Sequence, residues 1–284
     1  MNPKISSTVA RGDDGNIQIN FDIPYEVITK NKALVLTDIT KNAEVAGFRK
    51  GKAPASEVEK KVSPEDLIEK TLAKILPEAL GNAITENKLK PAIYPKFELI
   101  KADDDANWQI RAVTCELPQV EVGNYKKLIT DNLKKVIITP QTKEKTQEEK
   151  EQEVIKLLIE TIKIKMPKIL IDEEVNSRLS QLLGRIEKLG LNLDSYLTSV
   201  GKTPQTVRDE YTIQAQNTIS LELILQKIAE DQQIKVDEKQ IDEVIKVSGA
   251  DPKAAEKLNT PEQRLFIASI LRKKAALESL TALV

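Results

Sequence analysis

The chain has 284 residues, with 43 Lys and Arg against 44 Asp and Glu, one cysteine and no histidine. The missing histidines remove Ser-His-Asp and Cys-His catalytic sets and histidine metal ligands, and the lone Cys115 can form neither an internal disulfide nor a thiolate zinc cage. A net charge of −1 offers no global field for nucleic acid or membrane, while 40% hydrophobic but only 4% aromatic residues call for an aliphatic core.

At this length two domains are expected. The segment Met1-Asn2-Pro3-Lys4-Ile5-Ser6 lacks the apolar core of a signal peptide, and no window approaches the ~20 apolar residues of a membrane span. The expectation is a soluble, cytoplasmic protein.

Up to about residue 117, strand and helix signals alternate. Ile17, Ile19, Phe21 and Ile23 recur with period two in Asn16-Ile17-Gln18-Ile19-Asn20-Phe21-Asp22-Ile23, preceded by a strand over 5–9 and a turn at Gly12-Asp13-Asp14-Gly15. Pro24 is placed to take the first position of a helix running to about 41. Ser63 can cap a second helix carrying Leu67, Leu72, Ile75, Leu76, Leu80 and Ile84 on one side, with Pro77 set to kink or split it. Two more strands are expected over 96–101 and 107–117, joined by a turn at Asp103-Asp104-Asp105, which turn chemistry explains better than a cation site. Cys115 and Trp108 share the last strand and read as packing or edge residues. The sum is an α+β unit with an antiparallel sheet, assigned to residues 1–127.

A linker over 128–147 follows, with a short extended stretch at Val136-Ile137-Ile138, and from its end into the next segment run the densest charges of the chain, Lys143, Glu144, Lys145, Glu148, Glu149, Lys150, Glu151 and Glu153. Charge of mixed sign at this density reads as a solvated helix face. Residues 148–284 read as all-α. Thr139-Pro140, Thr203-Pro204 and Thr260-Pro261 each pair a cap with a first-turn proline, and Thr260-Pro261-Glu262-Gln263 has the pattern of a capping box. Helical stripes run through Val154, Leu157, Leu158 and Ile162, then Val175, Leu179, Leu182, Leu183, Ile186 and Leu189 up to Gly190. Others pass through Val207, Tyr211, Ala215, Ile219, Ile224 and Leu225, and through Leu265, Ile270, Leu271 and Leu277. Most of these residues are expected in the core, because each helix buries one face.

One loop carries recognition chemistry. Between Glu44 and Glu57 the only charges are Arg49, Lys50 and Lys52, in Gly47-Phe48-Arg49-Lys50-Gly51-Lys52-Ala53-Pro54 between two helices. Gly47 and Gly51 permit positive φ, and Pro54 can open the next helix. The loop can present Phe48 as an apolar anchor beside a guanidinium fork and mobile ammonium groups, a set suited to a polyanionic surface with an apolar pocket. It can equally be an ordinary turn with Phe48 in the core and three solvated cations. It is not a phosphate-binding P-loop, since GxxxxGK[ST] is absent.

That octapeptide resembles the G-F-R-x-G-x-x-P signature of trigger factor, the bacterial ribosome-associated chaperone family. Ile17-Gln18-Ile19, Val113-Thr114-Cys115-Glu116-Leu117-Pro118-Gln119-Val120-Glu121-Val122, Met166-Pro167-Lys168-Ile169-Leu170-Ile171-Asp172-Glu173-Glu174-Val175 and Leu189-Gly190-Leu191-Asn192-Leu193-Asp194-Ser195-Tyr196-Leu197 are similar to other family segments. The resemblance implies that Gly47, Phe48, Arg49, Lys50, Gly51, Lys52 and Pro54 form a ribosome-binding loop, with Phe48, Arg49 and Lys50 meeting a tunnel-exit protein and ribosomal RNA. It implies a helical body with arms that holds nascent or unfolded polypeptides without ATP, as a monomer or weak homodimer. The family also carries an FKBP-like prolyl isomerase domain, but only the short stretch 128–147 stands where that domain belongs. No catalytic residue, cofactor or metal is therefore expected. The alternatives are a prolyl isomerase with an unrecognised site, a nucleic-acid adaptor using the basic tip, and an extracytoplasmic holdase of similar helical architecture.

Overall fold

The computed structural model describes residues 4–44, 48–103, 105–136, 146–248 and 259–283. The chain divides into two compact units, one comprising Met1–Leu117 with Met166–Leu170 and the other Pro118–Lys165 with Ile171–Val284. The sequence boundary at 127 and the linker over 128–147 compare with a division after Leu117. The first half of that expected linker is helical.

The first unit is α+β. Strands β1 (Ser6–Arg11), β2 (Asn16–Ile23), β3 (Lys96–Lys101) and β4 (Trp108–Cys115) form one antiparallel sheet in the order β1-β2-β4-β3. The period-two set behaves as alternation requires: Ile17, Ile19, Phe21 and Ile23 are all 2% exposed or less. Trp108, Ile110 and Ala112 of β4 join them in the core. Helices α1 (Tyr25–Asn42) and α3 (Pro64–Asn87) cover this face with Ile28, Ile75, Leu76, Ala79, Leu80 and Ala83; the short α2 (Ala55–Glu59) lies between them in the chain. Each large side chain so buried contributes about 1.5–3 kcal/mol.

Turn chemistry fixes the hairpin. Gly15 sits at φ 84, Gly12 N donates to Asn16 O at 2.8 Å, and Asn16 N donates to the Asp14 carboxylate at 3.1 Å. Pro24 lies one residue earlier than expected, as the extended N-cap of α1. Having no cap hydroxyl, it leaves Tyr25 N to find its acceptor beside the start of the paired strand β4, at Asn107 Oδ1, 3.1 Å away. Ser63 caps α3 by accepting from Asp66 N, with Pro64 in the first turn. Pro77 does not split that helix. It is exposed, as is Ala73 one turn before, so the freed carbonyl faces water while buried Ile75, Leu76, Ala79 and Leu80 hold both flanking turns.

β4 ends at Cys115 instead of Leu117, which is exposed. Cys115 is fully buried, and burial, with the Asp14 charge adding to it, pushes its thiol up to about 11, the state of an inert core residue. Trp108 is buried and donates its Nε1 hydrogen to Asp103 O at 3.2 Å. At the acidic turn Asp103 pairs with Lys101 and Asp105 adopts φ 62; Asp104 lies outside the described residues.

The second unit, among the described residues, has helices as its only regular elements: α4 (Tyr125–Val136), α5 (Gln147–Thr161), α6 (Lys168–Lys188, of which the residues up to Leu170 count with the first unit), α7 (Leu193–Ser199), α8 (Pro204–Asp231), α9 (Glu238–Ser248) and α10 (Pro261–Thr281). Val136 ends α4 instead of opening an extended stretch, while Ile137, Ile138, Thr139, Pro140, Lys143, Glu144 and Lys145 lie outside the described residues. One core joins Tyr125 and Ile129, Val154 and Leu158, Ile224 and Ile228, and Ala276 and Leu280; a smaller one joins Ile241 and Ile245 to Ile267 and Ala268. Tyr125 therefore belongs with the helices, its hydroxyl 2.8 Å from the Asp231 carboxylate.

Thr203 and Thr260 cap α8 and α10 as their Thr-Pro pairs require. The complete reciprocal capping box stands at α5, between Thr146 and Glu149. Of the later helical stripes, Val175, Ile186, Val207, Ala215, Ile224 and Leu225 are buried, but Leu183, Leu189, Leu265 and Ile270 are not. The buried face of α10 is instead Ile267, Ala268, Ala276 and Leu280. Among the described residues no helix is long and apolar enough to cross a membrane.

Candidate functional site

The basic loop leaves α1 at Ala43, whose extended conformation ends the helix. Phe48 is 45% exposed, and Arg49 and Lys50 are exposed beside it, so the outward presentation holds and the core-Phe alternative does not. Lys52 N donates to Arg49 O at 2.9 Å, closing a turn whose third residue, Gly51, sits at φ 73. Gly51 is required twice over. Besides its left-handed φ, a Cβ there would stand 2.7 Å from the Lys41 carbonyl oxygen. Its own N–H donates to Ala43 O at 3.1 Å, fastening the returning strand of the loop to the end of α1.

On the far side Ala53 is buried with Val58 against Ile39 and Val62, an apolar anchor immediately after the exposed tip. Pro54 is the extended N-cap of α2 instead of its first residue, and its carbonyl accepts from Glu57 N at 3.0 Å. Phe48, Arg49, Lys50, Gly51, Lys52 and Pro54 are thus brought together on one short span; Gly47 lies outside the described residues.

The charge of the tip is smaller than its three cations imply. Lys50 Nζ lies 3.1 Å from Glu44, a pair exposed on both sides and worth little in water. Arg49 and Lys52 have no ion-pair partner among the described residues and carry the net positive field. Behind the loop, Asp38 accepts from Lys74 at 2.6 Å and from Lys41 at 3.0 Å, and these two ammonium groups hold its carboxyl down at about 2. Both lysines are thereby partly neutralised.

The family model described as "Bacterial trigger factor protein (TF)" matches residues 5–154, and that described as "Bacterial trigger factor protein (TF) C-terminus" matches 130–281. The chain belongs to the trigger factor family. Curated relatives named trigger factor include that of Ligilactobacillus salivarius, 33% identical over 39% of this chain and 26% of its own length. Another is that of Clostridium beijerinckii, 28% identical over 66% of this chain and 47% of its own. The chain thus spans less than half the length of these relatives. A solved structure reporting promiscuous substrate recognition in folding and assembly activities of the trigger factor chaperone superposes with a TM-score of 0.67 over 98% of this chain and 99% of its own, at 12% identity, a likeness of fold.

Within this trigger factor fold the helical unit displays a second feature, large apolar residues exposed to solvent, some of them stripe residues that periodicity assigned to the core. Leu183, Leu189, Leu191 and Leu193 are exposed around the end of α6 and the start of α7, with Val200 and Ile213 exposed further along. Leu265, Phe266 and Ile270 are exposed on α10, and Val247 on α9. The signal was present in Leu189-Gly190-Leu191-Asn192-Leu193: Gly190, at φ 70, ends the helix while three leucines crowd its stop, where no helical stripe can bury them together.

Proposed function

We propose that this chain is a molecular chaperone that docks by its Phe48-Arg49-Lys50 tip near the peptide-tunnel exit of the ribosome and holds nascent or unfolded polypeptides on its helical unit, in the cytoplasm and without ATP. The observation that carries the reading is the tip itself. An exposed aromatic ring beside a guanidinium and an ammonium is held out by a glycine that no other residue can replace without strain. In a chain with a net charge of −1, a local tip supports docking at one anionic place better than spreading over nucleic acid at large. The exposed leucines of α6 and α7 and the apolar residues of α9 and α10 support the holding role, since several weak apolar contacts suit clients of many sequences. The chaperone works as a monomer or weak homodimer.

Prolyl isomerisation is no part of the proposal. The two matched family segments overlap over 130–154 instead of flanking a domain-sized insert, which supports a two-unit chaperone. A protease-coupled assay on a prolyl peptide tests this point, and turnover comparable to an FKBP would overturn it.

The docking test replaces Phe48, Arg49 and Lys50 together by alanine. The wild-type chain is expected to pellet with ribosomes, more weakly as salt is raised, and the variant to stay in the supernatant with an unchanged circular dichroism spectrum. Pelleting at near wild-type levels would remove the tip from the docking role. Equal binding to naked RNA and to ribosomes would favour the nucleic-acid adaptor.

A further inference from the structure

The helical unit also holds a pocket of about 410 Å³ between the end of α8, the turn that follows it, and the middle of α10. This is within the range of small-ligand sites, roughly 300–1,000 Å³. Ala229 and Ile234 give it apolar lining, and Lys235, Arg272 and Lys273 stand around them with Glu230 as the one acid. Three cations against one carboxylate make a positive pocket in a chain of net charge −1.

The protein itself leaves that charge largely unused. Neither Lys235 nor Arg272 has an ion-pair partner among the described residues, and Lys273 reaches only the exposed Glu222, at 3.6 Å. Glu230 is already engaged, its Oε1 accepting from Gln226 Nε2 at 3.2 Å. The negative pole of α8 is covered as well. Gln232 N, Gln233 N and Ile234 N donate to the carbonyls of Ile228, Glu230 and Ala229.

We infer that this pocket binds a polypeptide carboxylate with a neighbouring aliphatic side chain, the carboxylate on Arg272 and Lys235 and the side chain on Ala229 and Ile234. Arginine offers a planar fork matched to a carboxylate, and the apolar floor rewards an aliphatic group that a free phosphate lacks. No aromatic side chain lines the pocket to stack a nucleobase. The inference rests on the client-holding reading and narrows it, adding acidic-aliphatic segments as a class of client recognised by charge as well as by apolar area.

The test uses the full chain and two fluorescein-labelled peptides, one alternating Leu and Glu and one with Gln in place of every Glu, followed by anisotropy. The Glu peptide is expected to bind roughly tenfold or more tightly than the Gln peptide, as charged hydrogen bonds warrant. The double variant Lys235→Gln/Arg272→Gln should erase that difference, whereas Lys227→Gln/Lys274→Gln, an equal loss of two charges on α8 and α10 outside the pocket lining, should keep it. Equal binding of the two peptides, a difference that survives the double variant, or displacement of the Glu peptide by inorganic phosphate as effectively as by unlabelled peptide would each overturn the inference. Suppression of aggregation of a neutral unfolded protein, measured in parallel, separates the two claims. If it persists while the peptide difference is absent, only the pocket falls; if it is absent too, the client-holding reading falls with it.

Discussion

On β2 of the first unit, Ile17, Ile19, Phe21 and Ile23 point where alternation puts them and are shut from solvent under α1 and α3. On α6 of the second unit, Val175 and Ile186 are buried in the same way, yet Leu183 stands 41% exposed and Leu189, just past the helix end, 74%. A strand inside a sheet has its neighbours on both sides and its covering layer supplied by the same compact fold, so an apolar face there is a buried face. A helical stripe states only that one side is apolar. Whether anything covers it depends on how far the neighbouring helices extend, and at the α6–α7 stop they do not extend far enough. The same composition thus serves cohesion in one unit and an open surface in the other.

The largest effects should separate the two classes of apolar residue. Phe21→Ala is expected to cost about 3–5 kcal/mol in urea denaturation, as for other fully buried aromatics, while Leu189→Ala should change stability by no more than ~0.5 kcal/mol. Similar costs for both would break the comparison. Replacing Leu189, Leu191 and Leu193 by serine should sharpen it, weakening suppression of client aggregation without lowering the melting temperature.

Next in size is Gly51→Ala. A Cβ set against the Lys41 carbonyl at positive φ should cost on the order of 1–3 kcal/mol of local strain and weaken ribosome pelleting while every cation of the tip remains. Unchanged stability and unchanged pelleting would show that the tip does not depend on that clasp.

Cys115 gives a smaller effect that reports on closure of the first core. Its thiol should resist iodoacetamide at pH 8 until urea opens the unit. Because the folded protein holds this proton up to about 11, against 9.0 for an exposed thiol, its contribution is intact below 9 and is lost as pH rises from there to about 11. Cys115→Ala should flatten that part of the stability profile. Asp38, exposed at the surface, should give the smallest change: held at about 2 against 3.8, it favours the folded state above 3.8 and ceases to as pH falls toward 2. Denaturation midpoints of Asp38→Asn should therefore differ from wild type slightly at pH 5 and converge near pH 2.

Much of the architecture was legible because its signals are local. Period two placed β2 to the residue, Ser63-Pro64 and Thr203-Pro204 placed helix starts, and Gly190 placed a helix stop. The tip was legible too, because Phe48 and its cations lie in one octapeptide with the glycine that holds them. What escaped was set by distant partners. Asn107, some eighty positions away, satisfies the first N–H of α1, which shifts the role of Pro24. Tyr125 joins the helical core through a packing choice that no nearby residue announces. The exposed leucines escaped for the converse reason, since periodicity carries no information about a partner that is not there.

The core of the helical unit draws Tyr125 and Ile129 from its first helix and Ala276 and Leu280 from its last, all fully or nearly fully buried. During synthesis the first pair leaves the ribosome long before the second exists, so this unit cannot close until α10 has been made. The sheet unit, apart from its short Met166–Leu170 contribution, has every strand and helix by Cys115. A chaperone proposed to shelter unfinished chains is therefore itself an unfinished chain of the same kind until that last helix has emerged.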